Sequence, residues 1–157
     1  MKLVIQRVNE ASVKVAQEIV GQIQKGLLIY LGVDKEDSSE DVAFCVQKVL
    51  NLRIFEDAQG KMNLSILDLG IENNAKNELA LLVVYQFTLL GDCTKGRRPS
   101  FDQAAAPEKG EEYYEMFIAQ LRDQGVNVQT GKFRAMMDIY SINDGPVTFI
   151  LESKKGK

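Results

Sequence analysis

The chain has 157 residues, 45% of them hydrophobic and 26% charged, the composition of one ordinary globular domain with enough apolar material for a real core. A net charge of −3 argues against sequence-independent nucleic-acid binding over a large surface, which needs a broad basic face. Histidine is absent, which excludes Ser-His-Asp and Cys-His catalysis and the common histidine zinc sites; an enzyme of this composition works through carboxylates, Lys, Thr or Tyr hydroxyls, or the backbone.

Met1–Arg7 lacks a long apolar stretch and a small-residue cleavage site, so no secretory signal is read there. Gly26–Val33 and Leu79–Val84 are both too short to span a membrane, and the expected address is cytoplasmic. Leu3–Val8 and Ser12–Val15 alternate with period two and are expected as two strands, with Glu18–Gln24 following after a turn. Gly26–Val33 is apolar on both faces, the pattern of a central buried strand.

The acids from Asp34 to Asp41 read as a charge bias at a helix start rather than a metal cage. Ser38 or Ser39 can cap that helix, whose inner face would be Val42, Cys45, Val46, Val49 and Leu50. Cys45 and Cys93 form no metal-spacing motif. Leu52–Phe55 is expected as a short strand, 57–60 as a turn and Gly70–Glu78 as a surface loop. Leu79–Leu90 reads as the second central strand. Pro107, the acids Glu108, Glu111 and Glu112, and the spacing of Tyr114, Phe117, Ile118 and Leu121 mark an amphipathic helix that Gly125 ends. Val126–Leu151 returns to strand. Two main helices against many strands give an α+β fold with curved mixed or antiparallel sheets, a single domain over 1–152 and a frayed tail at 153–157.

One stretch resists this scheme. "NDGPVT", residues 143–148, puts a Gly-Pro pair between two strand-like runs, where Pro146 cannot donate to a ladder and Gly145 weakens a strand.

Four segments, "IQRV" (5–8), "GKMNLS" (60–65), "QFTLLGD" (86–92) with "GRRPSF" (96–101), and "NDGPVTF" (143–149), occur in order along the chain. Together they resemble the D-aminoacyl-tRNA deacylases, the family first named for D-tyrosyl-tRNA, over essentially the full length. The resemblance implies a compact, barrel-like homodimer that hydrolyses the ester joining a D-amino acid, or glycine, to the 3′ end of tRNA. It assigns Gln86, Phe87 and Thr88 to the scissile ester. Gly145 and Pro146, joined by a cis bond, would enter the partner subunit's active site and exclude an L side chain. Arg7 would brace that loop, and Ala105, Phe133 and Met137 would surround the adenosine and aminoacyl group. Tyr85 stands where the family has serine, and strand alternation would put it on the face opposite Gln86. Lys95, Arg97 and Arg98 are the densest internal basic cluster and candidates for phosphate contacts near the acceptor end.

An aminoacyl ester is already activated, so backbone N–H donors at Phe87 and Thr88, with help from the ribose 2′-OH, would suffice; no cofactor or metal is required. Two other readings compete: a nucleic-acid-binding module on the same fold, and a Thr88-dependent esterase or amidase that ignores tRNA.

Overall fold

The computed structural model describes residues 1–72 and 79–154. Its spine is β1, Lys2–Val15, a continuous strand of 14 residues where the sequence suggests two. One edge of β1 pairs antiparallel with β3 (Gly26–Gly32) over Lys2–Val8 and with β2 (Glu18–Ile23) over Ala11–Val15. The other edge pairs along nearly its whole length with the last strand, β8 (Asp138–Glu152). Beyond β3 the sheet turns parallel, through β6 (Ala80–Tyr85) and then β7 (Asn127–Thr130), so it is mixed, in the order β2-β1-β3-β6-β7.

β3 and β6 are apolar on both sides because both sides are covered. Leu27, Ile29, Leu31, Leu81 and Val83 point into the main core with the helices, while Leu28, Leu82 and Val84 face a second cluster with Val8, Ala11 and Val13. The second cluster is the inside of a nearly closed barrel. Its seam lies where β2 meets β7: a Cβ on Gly21 would stand 2.3 Å from the Thr130 carbonyl oxygen and 3.1 Å from Leu82 Cδ1.

Helix α1 (Ser39–Asn51) starts at Ser38, whose backbone N–H donates to Asp41 Oδ2 at 2.9 Å in a capping box. It buries Val42, Cys45, Val46, Val49 and Leu50, the face that periodicity predicts. Helix α3 (Pro107–Asp123) likewise buries Tyr114, Phe117, Ile118 and Leu121, with Pro107 in its first turn. Each large side chain so buried contributes about 1.5–3 kcal/mol. Gly125, at φ +79°, follows the helix end in the left-handed conformation. None of the helices among the described residues is long and apolar enough to cross a membrane.

Four elements differ from the sequence reading. After α1 comes a strand pair made of β4 (Phe55–Glu56) and β5 (Met62–Leu64), so the strand expected at 52–55 starts three residues later. A short third helix, α2 (Ile66–Glu72), follows; its start is marked by Ser65, which accepts from the Asp68 N–H at 3.1 Å. The loop expected at 70–78 therefore begins inside a helix, and 73–78 lie outside the described residues. The strand expected to reach Leu90 stops at Tyr85 and gives way to a 3₁₀ turn over Phe87–Leu90.

The fourth difference is "NDGPVT". It does not connect two strands but forms a bulge within β8: Gln6 pairs with Thr148 and Val8 with Asn143, so 144–147 are expelled from the ladder opposite Arg7. In the tail, the Ser153 N–H donates to the Met1 carbonyl at 3.0 Å and Lys154 Nζ lies 3.2 Å from Asp34, while 155–157 are outside the described residues.

The barrel seam yields a test. Gly21→Ala drives a methyl against a backbone carbonyl that cannot swing aside, and overpacking of that kind costs about 1–3 kcal/mol. Chemical denaturation should show a lower midpoint with an unchanged slope; a midpoint equal to that of the unaltered chain would mean that β2 and β7 separate freely.

Candidate active site

β6 delivers its chain directly into a cleft. The last strand residue is Tyr85, and the Gln86 N–H donates to the Leu31 carbonyl at 2.8 Å, so β6 stays tied to β3 up to its final residue. Gln86 then leaves the strand at φ −142°, ψ 83°, and the turn closes with Leu89 N–H donating to the Gln86 carbonyl at 3.2 Å. Phe87 and Thr88 are the first two residues of this turn, so its i to i+3 pattern supplies no acceptor for their N–H groups. The Gln86 side-chain amide donates to Thr88 Oγ1, which holds both side chains on the turn's exposed face.

The cleft that the turn borders has a volume of about 770 Å³. Two separate segments complete its wall: Phe101, Ala104, Ala105 and Pro107 leading into α3, and 133–137 from the β7–β8 connection with Ile139 at the start of β8. The Ala105 N–H donates to the Val33 carbonyl at 2.9 Å, pinning the first of these segments to the end of β3. Phe87 is 45% exposed and packs edge-on against Phe101, with ring centroids 5.2 Å apart. The lining is predominantly apolar, with Tyr85 and Gln86 as its polar residues and Arg134 as its one charged residue.

Six of the residues singled out from the sequence, Tyr85, Gln86, Phe87, Ala105, Phe133 and Met137, line this cleft together. Thr88 is beside it rather than on its wall. Arg7, Gly145 and Pro146 are elsewhere, at the β8 bulge. Lys95, Arg97 and Arg98 are exposed on a loop closed by the paired backbones of Asp92 and Ser100, away from the cleft wall. Sequence reading missed Phe101, Ala104, Pro107, Arg134, Ala135, Met136 and Ile139 as lining residues; Arg134, Ala135 and Met136 lie on an irregular connection where no periodicity announces a facing side.

Tyr85 corrects one expectation. Alternation would point it away from Gln86, yet both line the cleft, because alternation holds only while the strand continues and β6 ends between them. The Tyr85 ring sits 4.6 Å from the Phe133 ring and 5.8 Å, edge-on, from Tyr114. Tyr114 in turn donates its hydroxyl to the Val83 carbonyl at 2.9 Å. Half-burial pushes the Tyr85 phenol above its ordinary pKa, so it is neutral at physiological pH. Its hydroxyl lies over Gly110 of α3, where an added Cβ would be 2.3 Å from the oxygen. The bulky side chain fits because the helix has no side chain there.

At the bulge, Arg7 is only 6% exposed. It donates from an Nη to the Ile54 carbonyl at 2.7 Å, while Glu56 lies 3.7 Å from its other Nη. Its Nε is 2.9 Å from Asp144 Oδ2, an ion pair whose angle falls short of a hydrogen bond. Asn143 Nδ2 donates to the Arg7 carbonyl at 3.0 Å and to the Val147 carbonyl at 3.3 Å, tying the base of the bulge shut. The Gly145–Pro146 bond is cis. A Cβ on Gly145 would approach only Asn143 Oδ1, at 3.4 Å, so packing within this chain does not demand glycine there.

The fit of Tyr85 to Gly110 can be tested by a double-mutant cycle. Gly110→Ala alone should destabilise by about 1–3 kcal/mol through overpacking. With Tyr85→Ser the same change should become neutral or stabilising by up to ~1 kcal/mol, the helix preference for alanine. Equal effects of Gly110→Ala in both backgrounds, measured by denaturant unfolding, would contradict the packing described.

Comparisons with known proteins bear on this geometry. The family profile described as "D-Tyr-tRNA(Tyr) deacylase" matches residues 4–152. A D-aminoacyl-tRNA deacylase of Geotalea uraniireducens is 54% identical over 157 residues, covering 100% of this chain and 96% of the relative. One from Brevibacillus brevis is 53% identical over 153 residues, covering 98% of this chain and 100% of the relative. Among solved structures, that of a c-Myc DNA Unwinding Element Binding Protein superposes with TM-score 0.86 at 39% identity, covering 97% of this chain and 98% of that one. A probable eukaryotic D-amino acid tRNA deacylase superposes with TM-score 0.80, covering 96% and 97%; at 18% identity it speaks to the fold alone.

Proposed function

The chain belongs to the D-Tyr-tRNA(Tyr) deacylase family and is an enzyme of the D-aminoacyl-tRNA deacylase class, and from that premise we propose that it acts in the cytoplasm, that glycyl-tRNA is also a substrate, and that the ester is cleaved as follows. The observation that carries the proposal is the convergence of Gln86, Phe87, Ala105, Phe133 and Met137, from separate segments, on one apolar cleft. The terminal adenosine and aminoacyl group occupy that cleft, and the Phe87 and Thr88 N–H groups face the carbonyl under attack. One oxyanion donor of this kind is worth about 3–4 kcal/mol. Water adds to the ester carbonyl, oriented by the neighbouring ribose 2′-OH; the tetrahedral intermediate collapses, releasing the amino acid and a free ribose hydroxyl.

Chirality is read by a second copy of the chain. Gly145 and Pro146 project from the bulge on β8, away from their own cleft's wall. Around them Tyr140, Ile142, Phe149 and Ile150 are exposed, Ile150 at 69%, on a strand whose only partner among the described residues is β1. Such an apolar band on an open edge strand calls for a partner. In the homodimer it is covered, and the Gly145-Pro146 carbonyls of one protomer enter the other's cleft, where an L side chain would collide with them. Arg7 and Asp144 hold the bulge in place. Lys95, Arg97 and Arg98 meet acceptor-end phosphates.

Incubation with D-Tyr-tRNA and L-Tyr-tRNA is the direct test: only the D-ester should disappear. Binding without turnover would favour a nucleic-acid-binding module, the role named for the DNA unwinding element binding protein that shares this fold. Loss of both esters, or hydrolysis of simple esters, would favour a general esterase. Gly145→Val should fold and dimerise yet lose at least about 10²-fold in activity, since it obstructs the space for the substrate's α-carbon. A monomeric active enzyme, by solution mass, would sink the cross-subunit filter. Thr88→Ala should retain substantial activity, and a covalent aminoacyl adduct trapped on Thr88 would overturn the water mechanism.

A further inference from the structure

Arg134 is the one charged residue on the wall of the cleft. Its side chain is exposed, and among the described residues no carboxylate pairs with it and no hydrogen bond holds it. Its backbone sits at φ +61°, in the left-handed region that glycine adopts freely and an arginine only at a cost. The turn that imposes this conformation runs from Phe133, with Ala135 N–H donating to the Lys132 carbonyl at 3.2 Å. Phe133 is a cleft residue packed on Tyr85, so the turn cannot relax without disturbing the wall. An arginine is thus carried at a position suited to glycine, with no partner in its own chain among the described residues, at the mouth of an apolar cleft.

We propose that Arg134 binds a phosphodiester of the substrate next to the terminal nucleoside. This rests on the reading that the cleft takes the aminoacylated adenosine of tRNA. With the nucleoside and aminoacyl group, neither of which carries a negative charge, inside an apolar wall, the nearest negative charge on the substrate is the phosphate linking the terminal nucleoside to the rest of the strand. A guanidinium at the mouth matches it with a fork of N–H donors and needs no burial to do so. The contact fixes how far the strand enters and reads no base.

The test compares D-aminoacyl esters of adenosine, which has no phosphate, of a dinucleotide with one phosphodiester, and of full tRNA. For Arg134→Gly, the KM values on the dinucleotide and tRNA should rise about three- to tenfold relative to the KM on the adenosine ester, the worth of one exposed charge-assisted contact. The salt slope of tRNA binding should flatten by about 0.7, one single-stranded phosphate. Arg134→Lys should recover part of both. Lys132→Ala, an exposed cation two residues away and off the cleft wall, should move neither. Because glycine is at ease at φ +61°, the thermal midpoint of Arg134→Gly should hold or rise, which separates lost binding from lost folding. A KM that changes equally on all three substrates, or an unchanged salt slope, overturns the assignment while the deacylase reading stands. An unaltered chain that cleaves no D-ester overturns that reading and this one together.

Discussion

The pairing of β1 on both edges is the constraint from which the rest follows. Its first half carries β3, and through β3 the parallel strands β6 and β7; its other edge carries β8. The turn after β6 therefore opens on one side of the spine, while the Gly145-Pro146 bulge is fixed on the other by the ladder itself. Ile139, at the start of β8, is on the wall of the cleft, whereas Gly145 and Pro146, further along the same strand, are not. On the proposed reading the two cooperate through a second chain, seated on the exposed residues of β8.

The second consequence concerns where β6 ends. Parallel strands bring their C-terminal ends to one edge, and ligands are commonly bound just beyond such an edge. Here β6 is tied to Leu31 up to Gln86 and then tightens into a 3₁₀ turn, which frees two N–H groups at the point where the cleft begins. A reaction that needs only a polarised carbonyl and a positioned water can be served by those groups. On the proposed mechanism the absence of histidine is no deficiency, because an aminoacyl ester is already activated.

Legibility in the sequence follows periodicity. The buried faces of α1 and α3 and the doubly covered β3 repeat regularly and read correctly. Departures fall where regularity breaks. α2 has seven residues, too few for a helical pattern to emerge. Apolar residues continue from β6 into Phe87–Leu90 with only Gln86 and Thr88 between them, which a strand's alternation would also accommodate, so the end of the strand is not marked locally. The β8 bulge reads as a turn because an expelled segment and a connection use the same residues; only the pairing of Asn143 with Val8 and Thr148 with Gln6 distinguishes them. Family resemblance locates Gln86 and Phe133, which periodicity alone assigns to strand and core. It assigns no role to Arg134, the next residue after Phe133.

Tyr85 and Arg134 pose opposite demands on the same wall. The phenol needs volume, and Gly110 supplies it from the facing helix, leaving an uncharged ring against Phe133. The guanidinium needs water or an anion, and the left-handed turn carries it to the mouth. Their positions are not interchangeable. A cation in place of Tyr85 would sit half-buried among aromatic rings and carry a desolvation penalty with no carboxylate to offset it. A phenol in place of Arg134 would meet a phosphate with one hydroxyl instead of a charged fork. On the proposed reading, the apolar wall and the cation at its rim divide the labour: the cleft takes the end of the substrate that bears no negative charge, and the mouth takes its phosphate.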